Sequence, residues 1–323
     1  MPIATRLTEC LGITHPILLA PMDRVADATL ATAVSAAGGL GMLGGGYGDA
    51  AWLRAEIAAS AGARIGIGFI TWSLAKQPEL LAIALAAKPA AIMLSFGDPA
   101  PFAEAIHAAG ARLVCQVQSL DGARAAVAAG ADILVAQGSE AGGHGASRGT
   151  MALVPAIADA APEVPLAAAG GIADGRGLAA ALMLGADGVL VGSRFHATLE
   201  AAAPMAAKAR LVTAVGDGTI RSILFDIARR NVWPAPYTGR VLRNAFSERW
   251  QGREAELLQH QADEAARYEA ARVAGDYDTA AVIAGEAVDL IGDIPPAGEV
   301  VARMMREAEV LVAGASNRLR LGG

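Results

Sequence analysis

The sequence predicts an α/β chain in which eight parallel strands alternate with helices and close into a (β/α)8 TIM barrel. A smaller, mainly helical insertion or lid occupies the C-terminal third. Three observations predict this. A helix-stop, strand-start phrase recurs through roughly the first 200 residues, eight apolar runs of strand length lie between alanine-rich segments, and the rhythm breaks after Phe195.

The phrase reads "AAGGLGML" at 36–43, "SAGARIGIGF" at 60–69, "AAGARLVCQV" at 108–117, "AAGADILVAQ" at 128–137 and "MLGADGVLVG" at 183–192. Each pairs a helical stretch and a glycine suited to the left-handed helix end with an apolar run. The eight runs fall near 16–20, 39–43, 64–70, 90–96, 112–118, 133–137, 165–169 and 188–192. They do not alternate with polar residues, as expected of parallel strands covered on both faces. Asp49, Asp98-Pro99 and Ser119-Leu120-Asp121 supply helix starts between them. Eight units in so short a length favour a closed barrel over a doubly wound open sheet, the alternative that alternation alone leaves open.

After Phe195, residues 215–290 carry two of the four tryptophans, three of the four tyrosines and charged helical text around "REAELLQHQADEAARYEAARVAG". These residues read as the small domain, leaving 1–214 and 291–323 to the barrel. Val301, Met304, Met305, Ala308 and Leu311 fall at helical spacing within 298–315, which predicts a closing helix.

Of the 323 residues, 54% are hydrophobic but only 4% aromatic, so alanine and short aliphatics do the packing. A formal charge of −6 and a pI near 5.4 argue against a nucleic-acid groove or an anionic membrane surface as partner. Cys10 and Cys115 form no CxxC or Cys/His cluster, so neither a zinc site nor a disulfide framework is expected, and a reducing cytoplasm is the simplest setting. The N-terminal text lacks the apolar core of a secretory signal, and the uncharged run 28–48 contains seven glycines, which speaks against a membrane span.

In such barrels the working face is the C-terminal end of the strands. Three loops stand out there. "AAAGGIADGRG" (167–177) and "VLVGSRF" (189–195) are glycine turns at consecutive strand ends, where backbone N–H groups can cradle a phosphate. Ser193 would add a hydroxyl, and Arg194 or Arg176 would add charge; tight turns without a ligand are the plainer alternative. The third, "AQGSEAGGHGASRG" (136–149), follows strand six. The amide of Gln137 would face the barrel mouth, Gly142 and Gly143 would leave room for a flat ring, and His144 could move protons near neutral pH. A surface-loop histidine is the bland reading of His144, while His15, His107, His196 and His260 lack its context. Glu140 could orient the loop. Pro21 and Met22, after strand one, would line the same mouth.

Together, "APM" at 20–22, "AQGSEAGGHG" at 136–145 and "AAGGIADGRGLAAALMLGADGVLVGSRF" at 168–195 resemble the nitronate monooxygenase family. "YTGRVLRNAFSERW" and "AGEAVDLIGDIPPAGEVV" extend the resemblance along most of the chain. It implies an FMN-binding barrel. Ala20, Pro21 and Met22 would lie along the flavin. Gln137 and Gly142 would contact it, with Gln116 on strand five as a further contact. Gly170, Gly171, Leu190, Val191, Gly192 and Ser193 would hold the phosphate end, and His144 would be the active-site histidine. The implied reaction is oxidation of alkyl nitronates with O2 to carbonyl compounds and nitrite. Protonated His144 would stabilise the anion; neutral His144 would abstract an α-proton from a nitroalkane. A homo-oligomer is left open. The rival reading is an NAD(P)H-dependent flavin reductase, either an enoyl-ACP or an NADH:quinone reductase. One departure stands out: relatives carry asparagine in a "GVN" segment where this chain has Gly68 in "GIGFITW".

Overall fold

The computed structural model describes residues 3–314. Its strands are β1 (Ile17–Leu19), β2 (Met42–Gly44), β3 (Gly66–Ile70), β4 (Ala91–Ser95), β5 (Arg112–Val117), β6 (Ile133–Gln137), β7 (Gly143–Gly145), β8 (Leu166–Ala169), β9 (Gly188–Val191), β10 (Thr219–Ser222) and β11 (Thr238–Leu242). Eight of these form one parallel sheet in the order β1-β9-β8-β6-β5-β4-β3-β2. The ring closes between β1 and β2 through the parallel bridge Leu18–Leu40. β2 therefore starts later than its apolar run, because Leu40 is spent on the closing bridge.

The helices of the barrel half are α1 (Arg6–Leu11), α2 (Ala28–Ala36), α3 (Ala50–Ala59), α4 (Thr71–Leu74), α5 (Glu79–Ala86), α6 (Ala100–Ala108), α7 (Leu120–Ala128), α8 (Thr150–Ala160) and α9 (Gly175–Met183). Two of the three expected starts are realised by side-chain caps, while α6 follows Pro99, whose side chain makes none. Asp49 accepts from Ala51 and Trp52 N–H at α3, and Ser119 accepts from Gly122 N–H at α7.

Strand side chains alternate between two cores. Leu18, Met42, Met93, Val114, Val135, Ala167 and Leu190 point into the barrel, which Leu7 and Leu11 of α1 plug from below. Ile17, Leu19, Ile92, Leu134, Ala168, Val189 and Val191 face outward beneath the helices. This parity matters for the site, because the next inward position at the top of each strand faces the mouth.

Beyond β9 lie α10 (Ser193–His196), α11 (Met205–Thr213), α12 (Leu224–Arg229), α13 (Ala245–Trp250), α14 (Glu254–Gln259), α15 (Gln261–Ala274) and α16 (Ala297–Ala313). Helices α12–α15 share a core around Phe225, Phe246, Trp250, Leu257 and Tyr268. This stretch is not only helical. β10 and β11 pair antiparallel, and β11 pairs antiparallel with β7 of the barrel half, matching Gly239 to His144. The closing helix is α16, which packs against α9 and α2; residues 315–323 of the expected barrel domain lie outside the described residues, as do residues 1–2. Among the described residues no helix is long and apolar enough to cross a membrane, and no group of three or more His, Cys, Asp or Glu side chains could hold a metal ion.

Leu18 is fully buried in the barrel core and carries the closing bridge. Leu18→Ala should cost about 2–5 kcal/mol, read as a lower urea midpoint. Val310→Ala, on an exposed face of α16, should stay within about 0.5 kcal/mol of wild type.

Candidate active site

Inward positions near the tops of seven of the eight barrel strands build a floor. Ala20, Gly68, Ser95, Gln116, Gln137, Ala169 and Gly192 all line a cavity of about 290 Å³ at the C-terminal mouth of the barrel. Every one is small or an amide, so the floor has hydrogen-bonding capacity and little relief. Pro21, Met22, Gly142, Gly143, His144, Gly170, Gly171, Leu190 and Ser193 line the same cavity. Val191 does not; its parity sends the side chain into the outer core, and its carbonyl accepts from Ala20 N–H.

Gln137 is committed to protein partners. Its Oε1 accepts from Gln116 Nε2 at 3.1 Å and Gln118 Nε2 at 2.8 Å, and its Nε2 donates to the His144 carbonyl at 3.0 Å. The amide therefore sets the position of Gln116 and of the His144 backbone. At Gly142 the missing Cβ makes room for the chain itself, since a methyl there would stand 2.6 Å from the Ala284 carbonyl carbon. Gly68 is likewise overlaid by the Pro21 ring, 2.3 Å from where a Cβ would be, so no asparagine fits there with Pro21 in this place.

His144 is not on a flexible loop. It sits in β7, buried, opposite Gly239 of β11. Nε2 lies 2.9 Å from Asp226 Oδ2. A carboxylate can only accept here, so the neutral ring carries its proton on Nε2, and Nδ1 has no hydrogen bond among the described residues. The other carboxylate oxygen, Asp226 Oδ1, accepts from Arg229 Nη2 at 2.8 Å. Trp233 stacks on the imidazole with ring centres 3.5 Å apart and planes 7° from parallel. Burial pushes the His144 pKa below its ordinary value; the bond and charge of Asp226 pull it back up, while Arg229 and Arg221 add to the lowering.

Trp233 belongs to an aromatic wall. It meets Phe96, Trp72 and Tyr47 edge-on at 5.1, 5.4 and 6.1 Å, and its Nε1 donates to Tyr47 Oη at 2.9 Å. Tyr47, Phe69, Phe96 and Trp233 line the cavity. The loop that carries β7 is held from two sides. Glu140 accepts from the backbone N–H and hydroxyl of Thr150 at the start of α8, each at 2.9 Å. Arg221 of β10 donates to the carbonyls of Ser139 and Ala141 at 2.9 and 3.0 Å. Burial lowers the Arg221 pKa to about 10, which still leaves it charged near neutrality.

The phosphate-end expectation separates into parts. Gly170 and Gly171 take φ values of +102° and +75° and line the cavity with Gly192 and Ser193. The Ser193 hydroxyl accepts from Gly285 N–H at 2.8 Å. Neither Arg194 nor Arg176 reaches this end: Arg194 binds Asp293, and Arg176 pairs with Asp174. His196, set aside on sequence grounds, is buried and lines the cavity, with Nδ1 3.3 Å from the Ile283 carbonyl and a pKa lowered to about 4 by burial. Cys115 is buried too, its thiol pushed up to about 12, so it is no nucleophile.

Asp226, Arg229, Trp233, Arg221 and Tyr47 were missed by the sequence reading. A signal existed for Asp226: "SILFDIA" places one carboxylate in an otherwise apolar helical run, and such a carboxylate is buried only with partners.

Over residues 4–64 and 70–307 the chain matches the family described as nitronate monooxygenase. A nitronate monooxygenase from Neurospora crassa is 34% identical over 94% of this chain and 92% of its own length. FabK from Thermotoga maritima superposes with a TM-score of 0.87 at 30% identity, covering 98% of this chain and 100% of that one. A nitroalkane oxidase from Streptomyces ansochromogenes superposes with a TM-score of 0.82 at 27% identity, covering 96% of this chain and 99% of that one.

The His144 imidazole should titrate below 6.5 when followed by NMR. Asp226→Asn removes the carboxylate that raises this pKa while the burial remains, so the variant should titrate lower still. A titration at or above the wild-type value in Asp226→Asn would contradict the assignment.

Proposed function

The chain belongs to the nitronate monooxygenase family and is an oxidoreductase, and from that premise we propose that it oxidises alkyl nitronates with O2 to carbonyl compounds and nitrite, using FMN. The observation that carries this reading is the coincidence of two things. A low-relief floor of small and amide residues closes the barrel mouth, and an imidazole held by a buried carboxylate stands at its rim.

The residues fit the cofactor. Ala20, Pro21, Met22 and Gln116 would lie along the ring system, with Gln137 holding Gln116 in place and Gly142 and Gly143 at the edge. Gly170, Gly171, Gly192 and Ser193 would take the phosphate, with Leu190 and the backbone of Val191 beneath them. Gly170 and Gly171 both take left-handed φ values that favour glycine, and at Gly170 a Cβ would also crowd Ala141 N and Thr150 Oγ1 at 3.0 Å. Backbone N–H groups bind phosphate without a cationic side chain, consistent with neither nearby arginine reaching this end. FMN, when bound, supplies the electron-accepting chemistry.

The protein's part is proton handling and orientation. With Nε2–H donated to Asp226, His144 offers Nδ1 as a base for the α-proton of a neutral nitroalkane. The lowered pKa keeps the ring in the neutral, accepting form near pH 7. Once protonated, the ring presents one N–H to the substrate anion and the other to Asp226, and the carboxylate stabilises the imidazolium it orients. Trp233 stacks on the ring face, which limits its rotation.

His144→Ala should lower turnover of a neutral nitroalkane by about 10²-fold or more, within the range for positioned acid–base groups. In anaerobic mixing, a nitronate should bleach the visible absorbance of the wild-type holoenzyme and NADH should not. Rapid bleaching by NADH alone would instead establish the flavin-reductase reading.

A further inference from the structure

We propose that Arg229 is the anion receptor of this cavity: its Nη1, together with protonated His144, receives the two oxygens of a nitronate-type head group, and Asp226 holds both groups in place. The inference rests on the nitronate-oxidising reading and adds to it the residue that selects an anionic substrate.

Four observations converge. Among the described residues, Arg229 is the one lysine or arginine that lines the cavity. Its hydrogen bonds are accounted for at two nitrogens, Nε to the Phe225 carbonyl at 3.1 Å and Nη2 to Asp226 Oδ1 at 2.8 Å. Nη1 has no partner among the described residues and keeps some accessible surface; Arg229 lines this cavity and also a second pocket beside Tyr268 and Glu269. His144 presents the same arrangement, with Nε2 engaged and Nδ1 free.

The bridging carboxylate is what joins these facts. Asp226 is 6% exposed at its side chain, Arg229 24% and His144 7%. One acid oxygen holds each partner, so the two free nitrogens belong to neighbouring groups of fixed relative position. The charge arithmetic is also specific. Asp226 neutralises Arg229, so an anion brings the cluster to balance when His144 takes a proton. Asp23 and Glu140 are the carboxylates that line the cavity, with Asp226 set behind the wall. Glu140 is engaged by Thr150, and burial raises the Asp23 pKa from its ordinary value while Arg24 and Arg229 oppose the rise. Tyr47 also faces Arg229, its hydroxyl oxygen accepting from Trp233 Nε1. A neutral enone or quinone gains little from a guanidinium so placed, whereas a planar oxyanion gains a charge-assisted bond.

The test uses inorganic nitrate, a planar unreactive oxyanion, titrated into the FMN-loaded protein at constant ionic strength and followed by calorimetry and difference absorbance. Arg229→Gln should weaken nitrate binding about tenfold to a hundredfold, the worth of one charged hydrogen bond. It should raise the nitronate KM by a similar factor and keep its flavin. Arg229→Lys should fall between Gln and wild type, and it decides the matter if Arg229→Gln does not fold. Arg230→Gln, next in the chain and exposed, should bind nitrate as wild type does. Unchanged nitrate affinity in a folded Arg229→Gln, equal loss in the Lys and Gln variants, or loss of flavin from Arg229→Gln would each overturn the proposal. Because nitrate binding requires no turnover, the two readings separate. A protein that binds nitrate through Arg229 yet leaves nitronates untouched would refute the activity and keep the receptor. One that oxidises nitronates with unchanged nitrate affinity in Arg229→Gln would do the reverse.

Discussion

A carboxylate buried as deeply as Asp226 is costly unless both oxygens find donors, and here the two donors come from different parts of the chain. His144 arrives on β7 from the loop after β6, while Arg229 sits one turn along α12 from Asp226 itself. Removing either partner leaves a charge in a poorly solvated place, so the three groups specify one another. The imidazole tautomer, the position of the guanidinium and the seat of Trp233 all follow from that one acid.

This interdependence explains why the C-terminal third cannot be treated as a loose cover. β11 supplies the ladder that turns the glycine-rich segment into a strand, pairing Gly239 with His144 and Arg240 with Gly143. Arg221 reaches from β10 into the carbonyls of residues 139 and 141. An arginine sealed against carbonyls loses solvation that only well-placed acceptors restore, and the loop provides them. The backbone of Ala284 and Gly285 presses against Gly142 where a larger residue would collide. The chemistry of the site is therefore assembled between the barrel mouth and the segment that follows the barrel, with the barrel giving the floor and the later segment giving the wall.

Legibility in the sequence tracked locality. The eight strands were visible as unalternated apolar runs, and five of them follow a glycine after an alanine-rich helix, a signal contained within about ten residues. Caps at Asp49 and Ser119 were visible for the same reason. Of the cavity lining, Gln137, Gly170, Gly192 and Ser193 follow from knowing where strands end, whereas Ala20 and Gln116 came from the family resemblance. Val191 also came from the resemblance, and one residue of parity sends its side chain to the outer core. β10 and β11 were not apparent, since four or five residues such as "TIRS" and "TGRVL" carry little periodicity, and their stability comes from pairing partners distant in the chain.

Composition, strand parity and the glycine turns by themselves determined that this chain closes an alanine-packed parallel barrel, and which backbone stretches meet at its mouth. Those properties depend on hydrogen bonding and burial between neighbours in sequence. Which polar side chains meet was decided only in three dimensions. Asp226 lies 82 residues from His144, and Trp233 reaches Tyr47 across 186. A buried charge finds its counterpart wherever the folded chain places one, so its partner is a property of the packing and not of the spacing.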